Sequence, residues 1–147
     1  MSPLHFLAAT AGVTLVAWVI HRLLRRRHRR FLRHLAAQWK FRFVEADLFH
    51  LAGRIGGRFP VAGAADLRVF DVLYCSLDNS HCYVFTAEFC VPADGVARQR
   101  LAAAFSEPRE TSGQDGIGPV FVADEDLALI DQYRSLYERH HGRPQSG

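Results

Sequence analysis

"LRVFDVLYCSLDNSHCYVFTAEFCV" (residues 67–91) decides the fold. Its arms, Leu67–Ser76 and Cys82–Val91, are rich in β-branched and aromatic residues and flank the turn chemistry of Asp78, Asn79 and Ser80. A two-residue Asp78–Asn79 loop places Cys75 opposite Cys82 in a β-hairpin. In that register one face carries Phe70, Val72, Tyr74, Tyr83, Phe85, Ala87 and Phe89. The other carries Val69, Asp71, Leu73, Cys75, Cys82, Val84, Thr86, Glu88 and Cys90. The aromatic face is the expected core, and a one-residue slip would scramble the separation.

After the hairpin, Pro92 and Gly95 suit the corners of a turn. Ala97–Phe105 is Ala-rich enough for a helix, yet its short link to the hairpin favours a third antiparallel strand. The polar stretch 107–118 reads as a mobile loop and Pro119–Ala123 as a short strand. From Asp124 an amphipathic helix is expected, with Asp124 as N-cap and Leu127, Ile130, Tyr133 and Tyr137 as its stripe; Gly142 and Pro144 stop it. Upstream of the hairpin, Asp47–Ala52 forms a short helical pattern halted by glycines. The reading is α+β: a small antiparallel β-meander with helices on one face, closed by a C-terminal helix.

Residues 1–24 carry no charge except Arg22, and Phe6–Ile20 is almost wholly apolar. Twenty helical residues span about 30 Å, the thickness of one hydrocarbon core. A buried helix would show polar positions at helical spacing, and this segment shows hardly any, so it reads as a transmembrane signal-anchor. A cleaved signal peptide carries its positive charge before the apolar run. Here the order is reversed, and positive residues stay on the cytoplasmic side. The expected placement is single-pass in the inner (plasma) membrane, N-terminus out and domain in the cytoplasm.

The charge follows the same division. Of 18 Lys and Arg, nine lie between Arg22 and Arg42 with no acid among them; from Phe43 onward nine face all 15 acidic residues. An acidic domain repels phosphate, which disfavours nucleic acid as its partner. Arg22, Arg25, Arg26, Arg27, Arg29, Arg30 and Arg33 form a collar suited to anionic headgroups, each contributing about 1 kcal/mol near the lipid. Past the collar, Phe31, Leu32, Leu35, Ala36 and Trp39 recur at helical spacing and should dock on the domain. The expected organisation is an anchor (1–24), a basic juxtamembrane helix (25–42), a cytosolic domain (43–141) and a disordered tail (142–147). Apolar content of 49% with 11 Phe is ample for a packed core.

Arg68, Val69, Val72 and Leu73, followed by Val84, Phe85 and Phe89, carry a resemblance. Together with the apolar helix and Arg-rich collar, they resemble a group of uncharacterised small bacterial membrane-anchored proteins. Cys75 stands where that group has Gly. The resemblance reaches to about Val91 and implies a small α+β domain on a membrane stalk, without an activity.

Chemistry-bearing residues are few. Cys75, Cys82 and Cys90 with His81 lack the C-x2-C knuckle of a zinc site, and cytosolic thiols are reduced, so they read as small buried hydrophobes. Cys75 and Cys82, across the hairpin, could instead close a redox-sensitive disulfide. Asp71 and Glu88 share a face, diagonal to each other; such a pair serves acid–base chemistry if burial raises one pKa, or is neutralised by Arg98 or Arg100. Gly53–Gly57 does not have dinucleotide-fingerprint spacing. No catalytic residue, metal or cofactor is assigned. The leading function is a membrane-anchored interaction or scaffold domain engaging another membrane or cytosolic protein. The alternative is a membrane-tethered enzyme or thiol redox protein using Asp71, Glu88, Cys75 and Cys82.

Overall fold

The computed structural model describes residues 2–77, 79–95, 97–108 and 118–141. Asp78 of the hairpin loop, most of the 107–118 loop and the tail 142–147 lie outside these residues.

The chain begins with a 36-residue helix, α1 (Pro3–Gln38), which joins apolar segment and collar without a break. Pro3 sits in the first turn, where its missing N–H costs nothing. The helix ends at Gln38 with Trp39 as its C-cap, where the apolar stripe was expected to end, and the rest of the 25–42 segment is not helical. Lys40 adopts a left-handed conformation (φ 59°), Phe41 N–H donates to the Ala36 carbonyl at 2.8 Å and Lys40 N–H to the Ala37 carbonyl at 3.3 Å. This is a Schellman stop, with Phe41 and Ala36 both buried beside it. Glycine is the usual signal for such a stop, and Lys40 conceals it.

The released chain forms β1 (Arg42–Ala46), a strand the sequence reading did not anticipate. Asp47 then accepts the N–H groups of Leu51 and Ala52, at 2.8 and 3.0 Å, and starts α2 (Leu51–Ile55). The short helix thus begins where Asp47 caps it and runs through Gly53, because Leu51 and Ile55 are both fully buried one turn apart. A 3₁₀ turn over Gly56–Arg58 follows.

β2 (Ala65–Ser76) and β3 (Ser80–Cys90) make the hairpin, with Cys75 opposite Cys82 as expected. β4 (Arg98–Pro108) is the third long strand, and β5 (Phe121–Val122) is short. The five strands form one antiparallel sheet in chain order, β1-β2-β3-β4-β5.

The expected face pattern fails at one end of β2. Phe70 pairs with Thr86 but Leu73 with Val84, so Asp71 and Val72 together oppose Phe85 in a β-bulge. Asp71 takes a left-handed φ of 52°. Val72 and Tyr74 keep the aromatic face, while Val69 joins it and Phe70 leaves it.

Helices cover both faces of the sheet, not one. On the aromatic face Leu51 and Ile55 of α2 pack with Val72, Phe85, Phe89 and Phe105. On the other, Leu32, Leu35 and Ala36 of α1 pack with Leu73, Val84 and the C-terminal helix α3 (Leu129–His141) through Tyr133 and Leu136. α3 starts later than expected. Asp124 caps a separate turn, accepting from Asp126 N–H at 3.1 Å, and Leu127 stays 39% exposed. Trp39 stacks on Tyr137 at 4.1 Å, tying the end of α1 to α3.

Candidate functional site

The polar residues of the helix-covered face gather where α1 passes the bulge. The left-handed backbone at Asp71 turns its carboxylate toward α1, where Arg29 Nε donates at 3.2 Å. The second arm of Arg29 meets Glu45 of β1 at 2.7 Å, and Arg33, one turn on, meets the same carboxylate at 2.6 Å. Asp71 is only 3% exposed, and burial holds its carboxyl above the usual range although Arg29 pulls the other way. Behind it, Tyr133 donates to the Asp71 carbonyl at 2.9 Å and shares a 2.6 Å bond with Thr86.

His28 lies one residue before Arg29. Burial holds its imidazole below its usual value, Asp71 opposing and Arg100 and Arg29 adding to the shift. Its Nε2 is buried without a hydrogen-bond partner. A cleft of about 260 Å³ opens here, between His21, Arg25 and His28 on α1 and Phe70, Asp71 and Arg100 on the sheet. Leu24 and Leu129 complete its apolar wall.

The collar therefore divides. Arg29 and Arg33 are tied to carboxylates of the domain, whereas the collar reading gave both to anionic headgroups. Arg22 lies over the ring of Trp18, 5.0 Å from its centre. Arg25, Arg26, Arg27 and Arg30 are exposed, and Arg26 and Arg30 line a second cleft of about 310 Å³ with Arg29, Arg33 and Glu45.

Asp71 and Glu88 share a face but not a site. The bulge shifts Asp71 opposite Phe85, about 10 Å along the strand from Glu88. Glu88 is engaged by Arg98 at 3.2 Å and Arg100 at 2.7 Å. Arg100 also lies over the Phe70 ring, 5.5 Å from its centre, and shares the cleft wall with Asp71.

Cys75 and Cys82 face each other as free thiols. Burial pushes the Cys75 thiol up to about 11, the neighbouring Cys82 adding to the shift, and burial raises Cys82 as well. Neither thiol is a ready thiolate nucleophile at neutral pH. Cys90 lies eight residues along β3, about 26 Å away, its thiol 3.4 Å from the Ala65 carbonyl. Among the described residues no three His, Cys, Asp or Glu converge as a metal site.

His28, Phe70 and Arg100 were missed by the sequence reading as members of one site. A signal was present for His28. His21, Arg25 and His28 continue the docking stripe of Leu32, Leu35 and Trp39 backward at alternating steps of four and three residues. Polar residues on an apolar stripe mark where a helix still touches its domain but no longer a dry core.

Among the described residues, α1 is the one helix long and apolar enough to cross a membrane, and its apolar window is wholly unburied. A helix near an N-terminus that meets these criteria fits an anchor, and signal sequences meet them too. No family model, curated protein or solved structure matches the chain.

Proposed function

We propose that the protein is a single-pass membrane protein whose α1 spans the inner (plasma) membrane. Its α+β domain lies in the cytoplasm as an interaction or scaffold module for another protein at or in the membrane. The observation that carries this reading is the bare apolar half of α1. Phe6 and Val13 are each 71% exposed, and among the described residues the apolar window of α1 is wholly unburied. Soluble monomers rarely leave so long an apolar surface in water. From Pro3 to Ile20 the helix is about 27 Å long, close to one hydrocarbon core.

Orientation follows from the charges. Residues 2–21 hold no Lys or Arg, whereas Arg22, Arg25, Arg26 and Arg27 follow at once, and such clusters stay on the cytoplasmic side. In that compartment thiols such as Cys75 and Cys82 remain reduced. A binding role for the domain is favoured over an enzymatic one because Asp71 and Glu88 are each held by arginine and burial raises the Cys75 and Cys82 thiols.

The test is membrane fractionation without detergent, followed by protease treatment of inverted vesicles. The expected result is a domain that sediments with membranes and is digested from the cytoplasmic side. Recovery of the domain in the soluble fraction, or its protection inside inverted vesicles, overturns the reading.

A further inference from the structure

We infer that the cleft between α1 and the bulged end of β2 holds the phosphate group of one anionic lipid headgroup. The inference rests on the anchor reading and adds to it a built site with a defined ligand chemistry. Position comes first. His21 to Arg25 lie about 2–8 Å beyond Ile20 along the helix axis. A headgroup layer is about 5–8 Å thick, so the cleft opens at headgroup depth. Its volume of about 260 Å³ is close to the smallest ligand-sized clefts, about 300 Å³.

Charge comes second. Two guanidinium groups, Arg25 and Arg100, line the cleft against one carboxylate, Asp71, which Arg29 already engages. Arg25 is exposed, and its guanidinium acts electrostatically on Asp71, which Arg29 already pairs. Arg100 gives its Nε–H to Glu88 and keeps its other donors. A phosphodiester carries one negative charge, which balances the excess cation, and its oxygens accept from guanidinium N–H groups. The buried, unpartnered Nε2 of His28 lies in the same wall.

Apolar lining is the third element. Leu24, Phe70 and Leu129 stand beside the cations, as a lipid requires and a free phosphate does not. The shared chemistry is a phosphate ester; the lipid-borne form is the one these residues fit.

The test uses the full chain in nanodiscs containing equal phosphatidylglycerol and phosphatidylcholine, with retained lipids counted by native mass spectrometry. One phosphatidylglycerol is expected to stay bound preferentially. Arg25→Gln should lower that preference about tenfold, the loss of a charge-assisted contact. Arg27→Gln removes the same charge from the opposite side of α1 and should change it less than about threefold. Equal losses in the two variants overturn the inference in favour of diffuse attraction by the collar. Inorganic phosphate, added to protein in phosphatidylcholine nanodiscs and to the mixed ones, should neither bind nor displace the lipid. Displacement at equal concentration overturns the assignment to lipid. A chain that inserts into nanodiscs but shows no headgroup preference sinks the site alone. One that stays out of them sinks the anchor reading, and the site with it.

Discussion

Asp71 combines three features that are individually uncommon: a left-handed backbone, a buried carboxylate and a partner on a distant helix. Its raised pKa means that desolvation outweighs the attraction of Arg29. The two halves of the pair should therefore respond unequally to mutation. Arg29→Gln strands a buried charge and should destabilise by about 2 kcal/mol, moderated by the partial exposure of Arg29. Asp71→Asn removes the charge, and Asn tolerates the left-handed φ, so stability at pH 7 should be unchanged or rise by about 1 kcal/mol. The pH dependence follows from the directions of shift. A carboxyl raised in the folded state contributes stability fully present below its unfolded value of 3.8 and lost as pH rises through the folded value. His28, lowered from 6.5, contributes stability present above that value and lost as pH falls through its own folded value. Thermal melts between pH 3 and 7 should show both trends in the wild type and only the histidine trend in Asp71→Asn. A variant that keeps a rise in stability toward low pH would show that Asp71 is not its source. Neutralisation of Glu88 by Arg98 or Arg100 could be read in advance because all three lie on adjacent strands. Arg29 could not, because it reaches Asp71 only through the bulge.

Element boundaries turn on a few backbone positions. Lys40 holds the left-handed C′ position of the α1 stop, where a side chain costs about 1–2 kcal/mol. Lys40→Gly should stabilise the protein by about 1 kcal/mol in a denaturant melt; destabilisation would show that Lys40 contributes more than its conformation. The far edge of the sheet depends on α3. β5 pairs only with Ala103 and Ala104, and at Ala102 the side chain of Gln132 takes over, accepting its N–H at 2.8 Å while donating to the Leu127 carbonyl at 2.9 Å. Gln132→Leu leaves that buried N–H unpaired and should cost about 2 kcal/mol, with faster hydrogen exchange at Ala102. Unchanged exchange there would show that the edge is held without Gln132. The hairpin and its register, the strand at Ala97–Phe105 and the short strand after Pro119 were legible because alternation and turn chemistry are local. The stop at Lys40, the strand Arg42–Ala46 and the bulge were not. Each needs a left-handed residue or a partner strand, and neither leaves a mark in side-chain periodicity when the residue is Lys or Asp rather than Gly. The late start of α3 has a similar origin: Asp124 is a good cap, but it caps a turn that leaves Leu127 exposed.

One continuous helix has an unburied half and a half packed on the domain, and the division between them lies near His28. Before it, α1 buries nothing against the domain; after it, Leu32, Leu35 and Ala36 are core residues at 0%, 3% and 2% exposure. Charge reading alone treats residues 25–42 as one juxtamembrane unit. In the fold the contact with the sheet already begins at Arg29, and Arg29 and Arg33 form its outer ion pairs. Since α1 has no break, its apolar half joins the domain without a linker, and under the proposed anchor reading the tilt of the span would set how the sheet meets the membrane surface. The two halves should separate cleanly in experiment. A chain beginning at Arg26 loses no buried residue and should fold in water, its melt within about 0.5 kcal/mol of the full chain in detergent. Leu32→Ala in that shortened chain empties a fully buried site and should cost about 3 kcal/mol. Circular dichroism melts and sedimentation of the two shortened proteins measure both. If the chain from Arg26 aggregates while the full chain in detergent is folded, the apolar half of α1 covers part of the domain after all. A bare lipid-spanning helix would then no longer account for its exposure.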